Sequence, residues 1–537
     1  MKLFRKISAL IMVMALLLSF SLSVWAVDYN AANADDLLNA FWDESGEDVN
    51  INMTGDVDAE YYYLVGQDGI KYTIGSENGS SLSNAFFGGE TNVTINADVA
   101  GDFGADEQAD VTINGDVDGS VDAWGDAALE INGDVNGQLY ASQNADVTVD
   151  GDVNGTADAW GGAALEINGD VNGQLYASEN AEVSVDGDVN GSVTAYGNAT
   201  ADIAGDVTNE ENWSAITADE NATVNVDGNV TSDAEGIYAW MDSTVTVGGD
   251  VVAGDNIDTG DPSFAYGGSA VNASGNSTVS VGGDAIGGDA EGEGMVFGGN
   301  GVSAWTDGEN APTVTVGGDA IGGNATSSSE EPCSAQGGSG VQMAGSANVT
   351  VGGDAIGGDG EGVESVSGAG AVVSSEAGEA AGSLTIEGAV VGGEGDIDQG
   401  DLNVYAWSDP EAENQDPAEV PEISIGSAEE IIVGGFGEEE DAALLAKLEA
   451  QGKKAHVDSF WSDVLVKINA AQPGDEITVN AYSRMSIYAH VIEAVREKEV
   501  TLIIQWNGGD DLVIDKNFTE EVSGTILLKD LAEMLKK

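Results

Sequence analysis

The triplet Gly-Asp-Val recurs at Gly115, Gly133, Gly151, Gly169, Gly187 and Gly205, six times at a spacing of 18 residues. An apolar-x-apolar pair precedes each: Val111/Ile113, Leu129/Ile131, Val147/Val149, Leu165/Ile167, Val183/Val185 and Ala201/Ile203. The frame extends back to Met53-Thr54-Gly55 and Ile95-Asn96-Ala97, and forward to Gly228, Gly249, Gly283, Gly318, Gly353 and Gly388, giving 14 matches. A looser copy follows at Ile423-Ser424-Ile425, and residues 122–156 and 158–192 are near copies of each other. A fixed short period of this strength predicts a solenoid, in which each repeat buries its apolar face only against its neighbours.

Period-2 alternation within the repeat predicts strand rather than helix. In Val147-Thr148-Val149-Asp150-Gly151-Asp152-Val153 the valines face one way and the polar residues the other. A helix would carry glycine in nearly every turn, at roughly 1 kcal/mol each. The expected fold is therefore all-β, a parallel β-helix of about 14–15 coils stacked ~4.8 Å apart, some 70 Å in length.

Two readings of its handedness stand. Inward residues recur every six (Val135, Ala141, Val147, Val153, Ala159, Leu165, Val171), which is compatible with a triangular left-handed helix. The Val-x-Val-x-Gly-Asp-Val frame is similar to the repeats of filamentous-haemagglutinin-type bacterial adhesins, a resemblance that implies a right-handed helix. Parallel crossovers are overwhelmingly right-handed, so that hand is favoured.

From Gly249 onward the spacing widens to 34, 35, 35 and 35. The coil frame survives, so the extra ~17 residues read as insertions, at Asp289–Gly299, Asn324–Gly337 and Asp359–Gly368. The alternative is that each long unit is two coils, one degenerate.

Four segments are expected. Residues 1–26 have the layout of a secretory signal peptide: Lys2, Arg5 and Lys6, then an apolar run to Trp25, then Val24-Trp25-Ala26. A retained membrane anchor is the alternative. Residues 27–50 form an N-terminal helical cap, with Asn33 before Leu37, Leu38, Phe41 and Trp42. Residues 51–435 are the solenoid, and an acidic loop or linker spans Asp409–Pro421. Residues 436–537 form a small α/β module with helices at 439–451, 458–471 and 487–498. Its strands are expected at Glu476–Ala481, Val500–Trp506 and Asp511–Ile514. Its Asp458-Ser459-Phe460-Trp461, Gln472-Pro473-Gly474-Asp475, Arg496-Glu497-Lys498 and Gln505-Trp506-Asn507-Gly508-Gly509 pattern resembles a module of Clostridia surface proteins. That resemblance brings no activity with it.

Charge narrows the function. The chain has 95 acidic residues against 15 Lys+Arg, a formal charge of −80. No Lys, Arg or His occurs in the 375 positions between Lys71 and Lys447, which hold 69 Asp+Glu. Nucleic-acid binding through phosphates is excluded, and anionic membranes are poor partners. The segment from Lys447 onward has 11 Lys+Arg against 15 acids and both histidines, so the acidity belongs to the repeat and not to general salt adaptation. The lone Cys333 excludes an internal disulfide framework. Export without disulfides points to a bacterial, secreted or cell-surface protein.

Two columns carry candidate chemistry. Asp116, Asp134, Asp152, Asp170, Asp188 and Asp206 stack on an outward face, where charges 4.8 Å apart repel by about 1 kcal/mol even in water. Either Ca2+ bridges them or each aspartate caps its own Gly-Asp turn. Trp124, Trp160, Tyr196 and Trp240 each lie nine residues before a repeat glycine and follow an inward alanine. Tyr140 and Tyr176 occupy the intervening coils, and Trp305 and Trp407 continue the Ala-Trp pair. Such a row of rings suits stacking on sugars, or else forms a ladder of its own. The outward Thr112, Thr148, Thr246, Thr315 and Thr350 would suit ice, but Glu130, Glu166 and Asp202 interrupt them.

The expected function is a secreted or cell-surface, non-enzymatic, adhesin-like or carbohydrate-binding solenoid whose partner is an extracellular polysaccharide or host glycan. A pectate-type lyase needs a basic residue that the repeat lacks, and nucleophile–histidine sites fail for want of histidine. A carboxylate-dependent hydrolase and a purely structural spacer are the alternatives.

Overall fold

Gly-Asp and Asn-Gly corners divide each eighteen-residue repeat into three short extended pieces, and the structure stacks these as three parallel faces. In this computed structural model the described residues are 26–536, apart from 77, 256–263, 307–309, 330–333, 364, 377–379, 397–399, 408–418, 429–430, 435–437, 454, 458–459, 482–485, 507–510, 521 and 523–524. The signal segment and most of the acidic linker expected at 409–421 lie outside them. Two compact units, residues 1–169 and 170–537, are taken in turn.

In the first unit, face one is a run of parallel strands in register: Val27–Ala31, Val49–Met53, Lys71–Ser76, Asn92–Asn96, Asp110–Ile113, Ala128–Ile131, Asp146–Val149 and Ala164–Ile167. Face two narrows to single bridges, Leu82 to Val99, Val117, Val135 and Val153. Face three comprises Tyr63–Val65, Ala85–Gly88, Phe103–Ala105, Val121–Ala123, Leu139–Gln143 and Ala157–Gly161. The all-β parallel β-helix is thus the fold. Stacking begins earlier than the repeat frame predicts, with Val27–Ala31, and Lys71–Ser76 is a rung that the frame skips.

The interior is the hexad column plus one the sequence reading passed over. Val135, Ala141, Val147, Val153 and Ala159 are fully buried, and so are Ala109, Ala127 and Ala145 at the corner between faces three and one. Alanine there lets two faces meet closely. The expected helix is Ala34–Phe41, its N-cap Asn33 side chain accepting from the Asp36 amide at 3.0 Å while Asp36 accepts from the Ala32 amide at 3.0 Å. It closes the end of the core: Leu37, Ala40 and Phe41 are buried, and Phe41 stacks on Tyr72 with centroids 4.3 Å apart.

In the second unit, face one continues the pattern from Glu182–Val185 through Thr200–Ile203, Thr223–Val226, Thr244–Val247, Thr278–Val281, Thr313–Val316 and Asn348–Val351 to Ser383–Val391 and Glu422–Ser427. The long repeats are insertions, leaving between faces two and three. They build a second small stack: Phe264–Tyr266, Met295–Phe297 and Ala335–Gln336 pair in parallel, as do Ala290–Gly292, Ala325–Ser327 and Gly360–Glu361. Its core is Ala290, Val296, Ala325 and Ala335.

A seam of glycine joins this lobe to the coil. The N–H of Gly268 donates to Gly254 O, Gly288 to Gly268, Gly299 to Gly288, Gly323 to Gly299, Gly338 to Gly323, Gly358 to Gly338, Gly368 to Gly358 and Gly393 to Gly368, all at 2.7–2.8 Å. Outgoing and returning chains therefore alternate along one line. At each of these glycines from Gly288 onward, a Cβ would collide with a neighbouring carbonyl, which accounts for the glycine at each of these seam positions, in most cases one of a Gly-Gly pair.

The C-terminal segment is the small α/β region expected, with helices Glu438–Ala450, Phe460–Ala470 and Ala489–Lys498 and strands Glu476–Asn480, Thr501–Gln505 and Leu512–Ile514. Trp461, Ile468, Ile492, Leu502 and Leu531 help form its own core. Strand Ala455–Val457 pairs with Ile431–Gly434 on face three of the solenoid. The strand pair Ser486–Tyr488 and Thr525–Leu527 and the last helix, Leu528–Leu535, were not foreseen. No helix among the described residues is long and apolar enough to cross a membrane.

Candidate functional site on the third face

The aspartate column is a hydrogen-bonded ladder. In the first unit the amide of Asp116 donates to Asp98 Oδ1 at 3.3 Å, Asp134 to Asp116 at 3.0 Å and Asp152 to Asp134 at 2.9 Å. In the second unit Asp188 donates to Asp170 and Asp206 to Asp188, both at 2.8 Å. The run continues through Asn229, Asp250, Asp284, Asp319 and Asp354. The aspartates therefore bind the following coil and do not cap their own turns. This explains the glycine before each: a Cβ on Gly115 would lie 2.5 Å from Asp98 Oδ1, and on Gly133 or Gly151 it would collide with Asp116 or Asp134. Among the described residues no group of three or more His, Cys, Asp or Glu is placed to hold a metal ion.

Face three carries the aromatics. Strand alternation points two residues per coil outward. In successive coils of the first unit these are Tyr63/Val65, Phe86/Gly88, Gly104/Asp106, Asp122/Trp124, Tyr140/Ser142 and Asp158/Trp160. The register corrects the expected single row of rings. Tyr140 sits in the Asp122–Asp158 column, and the small Ser142 lies between Trp124 and Trp160. Trp124 and Trp160 are 43% and 44% exposed, whereas Tyr140 is half-buried, with its hydroxyl donating to Gln138 Oε1. Directly after both tryptophans the chain turns through a left-handed residue, Gly125 at φ +72° and Gly161 at φ +77°, which leaves the rings standing at the edge of the face.

The carboxylates on this face are the residues the sequence reading missed. Burial beside the rings pushes the Asp158 carboxyl above the usual range, and Asp122 likewise, with the charge of Asp102 adding to burial. The repeated Asp-Ala-Trp tripeptide was the available signal, since period two places its Asp and Trp on one side. In the earlier coils Phe86 lies over Gly104 and Tyr63 over Gly88. Burial, with Asp106 and Glu107 nearby, pushes the Tyr63 phenol up to about 12.

In the second unit face three carries Tyr176/Ser178, Thr194/Tyr196 and Thr217/Asp219 in the same register. Tyr196 and Trp305 are exposed, while Tyr176 and Trp240 are half-buried. Tyr176 donates to Gln174 Oε1 at 2.7 Å. The side chain of Trp407 lies outside the described residues. Glu235, half-buried, accepts long hydrogen bonds from Ser214 at 3.4 Å and Asn272 at 3.5 Å, and burial raises its carboxyl. Tyr238 is raised by burial and by Glu235 and Asp219, so these three groups form one cluster. In each unit, taken by itself, face three presents rings and carboxylates on its outward side. In comparison with known proteins, the chain matches no family model, no curated protein and no solved structure.

Proposed function

We propose that the protein is an exported, cell-surface β-solenoid that binds carbohydrate through its third face, in the manner of an adhesin and without catalysis. The observation that carries this reading is the outward grid Asp122/Trp124, Tyr140/Ser142, Asp158/Trp160, where exposed rings stand beside half-buried carboxylates. Rings supply apolar area for the flat faces of sugars, and carboxylates accept their hydroxyls in strong charge-assisted bonds. The similarity of the repeat to filamentous-haemagglutinin-type adhesins and of the terminal module to Clostridia surface proteins supports the surface setting, with the module as cap or attachment. Calcium enters as a diffuse counterion along the aspartate ladder, because Oδ1 of Asp98, Asp116, Asp134, Asp170 and Asp188 already accepts an amide of the next coil. A glycan array run with calcium and with chelator tests both parts. Retention of labelled protein on some glycan supports the reading, and a blank array refutes it. A melting temperature that falls sharply on chelation would refute the diffuse role of calcium.

A hydrolase is the second reading, favoured by the Glu235–Tyr238–Asp219 cluster, since a general acid needs a carboxyl raised by its surroundings. Release of reducing ends from a glycan panel, lost in Glu235→Gln, would establish it.

A further inference from the structure

We infer that the ligand of the first unit's third face is an uncharged β-1,4-linked hexopyranose polymer lying along the coil axis, with alternate rings stacked on Trp124 and Trp160. The inference rests on the carbohydrate reading above and adds linkage, direction and charge to it. Trp124 and Trp160 occupy the same outward position two coils apart, because Ala123 pairs with Ala141 and Ser142 with Trp160. Coils ~4.8 Å apart place the two rings about 9.6 Å apart along the axis.

A polymer read by this spacing must present the same ring face at every second residue. Extended β-1,4-linked pyranose chains do so, since each ring is turned over relative to its neighbours and the two-ring repeat is close to two coil spacings. An α-1,4-glucan coils instead and cannot follow a straight column. The intervening coil suits the turned-over ring: Ser142 puts no third ring between the tryptophans, and Tyr140 lies in the neighbouring column between Asp122 and Asp158. Asp122 and Asp158 repeat with the same two-coil step, so each stacked ring meets one carboxylate as hydroxyl acceptor.

Charge settles the remaining choice. With Asp106, Asp122 and Asp158 on the face and no Lys, Arg or His from position 72 to 446, a uronate or sulfated polymer meets only like charge.

The test is titration of the full chain with cello-, manno- and N-acetylchito-oligosaccharides, with malto-oligosaccharides and with oligogalacturonate. Binding of at least one of the first three is expected, with affinity rising between the disaccharide and the trisaccharide as the second tryptophan is reached. Trp160→Ala should remove that rise, and Trp124→Ala/Trp160→Ala should weaken binding of longer oligomers by roughly a hundredfold, about tenfold for each ring. Ser142→Trp/Trp160→Ser keeps two rings but sets them one coil apart, and should bind no better than Trp160→Ala. Equal binding of malto-oligosaccharides or oligogalacturonate, a length profile without the step, or wild-type affinity in the relocated variant overturns this inference alone. Failure of every sugar overturns the carbohydrate reading with it. If the relocated variant loses the wild-type circular dichroism, the length profile and Trp160→Ala decide.

Discussion

Two glycines in the same Gly-Asp dipeptide should respond in opposite ways to one added methyl group. A Cβ on Gly151 would stand 2.5 Å from Gly133 O and 2.6 Å from its carbonyl carbon, with Asp134 Oδ1 also in its path. Ordinary carbon contacts begin near 3.5 Å, so the two coils must part locally by about 1 Å. Overpacking of this kind costs about 1–3 kcal/mol. Parting the coils also weakens the 2.9 Å bond from the Asp152 amide to Asp134, about 1 kcal/mol more. Against this, alanine restricts the unfolded chain and returns about 0.4–1 kcal/mol. Gly151→Ala should therefore destabilise by about 1–3.5 kcal/mol. Gly55 has nothing within 4 Å of its virtual Cβ, because the rung before it, Val27–Ala31, brings no aspartate to that corner. Gly55→Ala keeps the gain alone and should stabilise by about 0.4–1 kcal/mol. Neither glycine has a left-handed φ, so backbone strain does not enter. Urea melts followed by tryptophan fluorescence, with amide exchange around each site to localise the effect, measure the difference. Equal effects of the two substitutions, or a neutral Gly151→Ala, would refute the account of the dipeptide as a coil-to-coil contact.

Other outcomes follow from the same ladder and core. Asp134→Asn keeps the acceptor and removes one charge, as Asn229 already does within the ladder. It should raise the melting temperature at low salt, with the gain shrinking above ~0.1 M as screening sets in. Asp158 has a raised carboxyl pKa in the fold, so the folded state binds the extra proton. Stability from this group is present below the unfolded value near ~3.9 and is lost as pH rises through the higher folded value. Asp158→Asn should therefore be more stable than wild type at pH 7 and lose that advantage near pH 4, measured by thermal melts across pH. The hydroxyls of Ser243 and Ser277 are buried without a partner, at corners where alanine stands in other coils. Ser243→Ala and Ser277→Ala should each stabilise by about 1–2 kcal/mol in urea melts, since a polar group buried unpaired is costly.

Much of this architecture was legible because stacking obliges every coil to repeat the same choices. Val147, Val149 and Val153 announce their burial by alternation, and Asn33 with Asp36 announces the helix start. Three things were not legible. Lys71–Ser76 joins the stack at an irregular distance from its neighbours, so no period exposes it. The partner of Asp134 was hidden because a residue one coil away and a residue in the same turn leave the same dipeptide in the sequence. The glycine before it was the clue, since its φ is ordinary and only a close neighbour requires it. The aromatic face was half legible: the Ala-Trp pairs are plain, but register was needed to show that Ser142 and not Tyr140 separates the two tryptophans.

The alternation of the third face also sets how such a gene can change length. Removing or adding 18 residues would seat serine where tryptophan belongs and tyrosine where aspartate belongs in every later coil of that zone, whereas 36 residues preserve both columns. Downstream, the glycine seam is spaced in whole cassettes of 34 or 35 residues. Recombination between the near-identical segments is thus expected to yield alleles that differ in quanta of 36 or 35 codons, each a longer or shorter display of an unaltered surface.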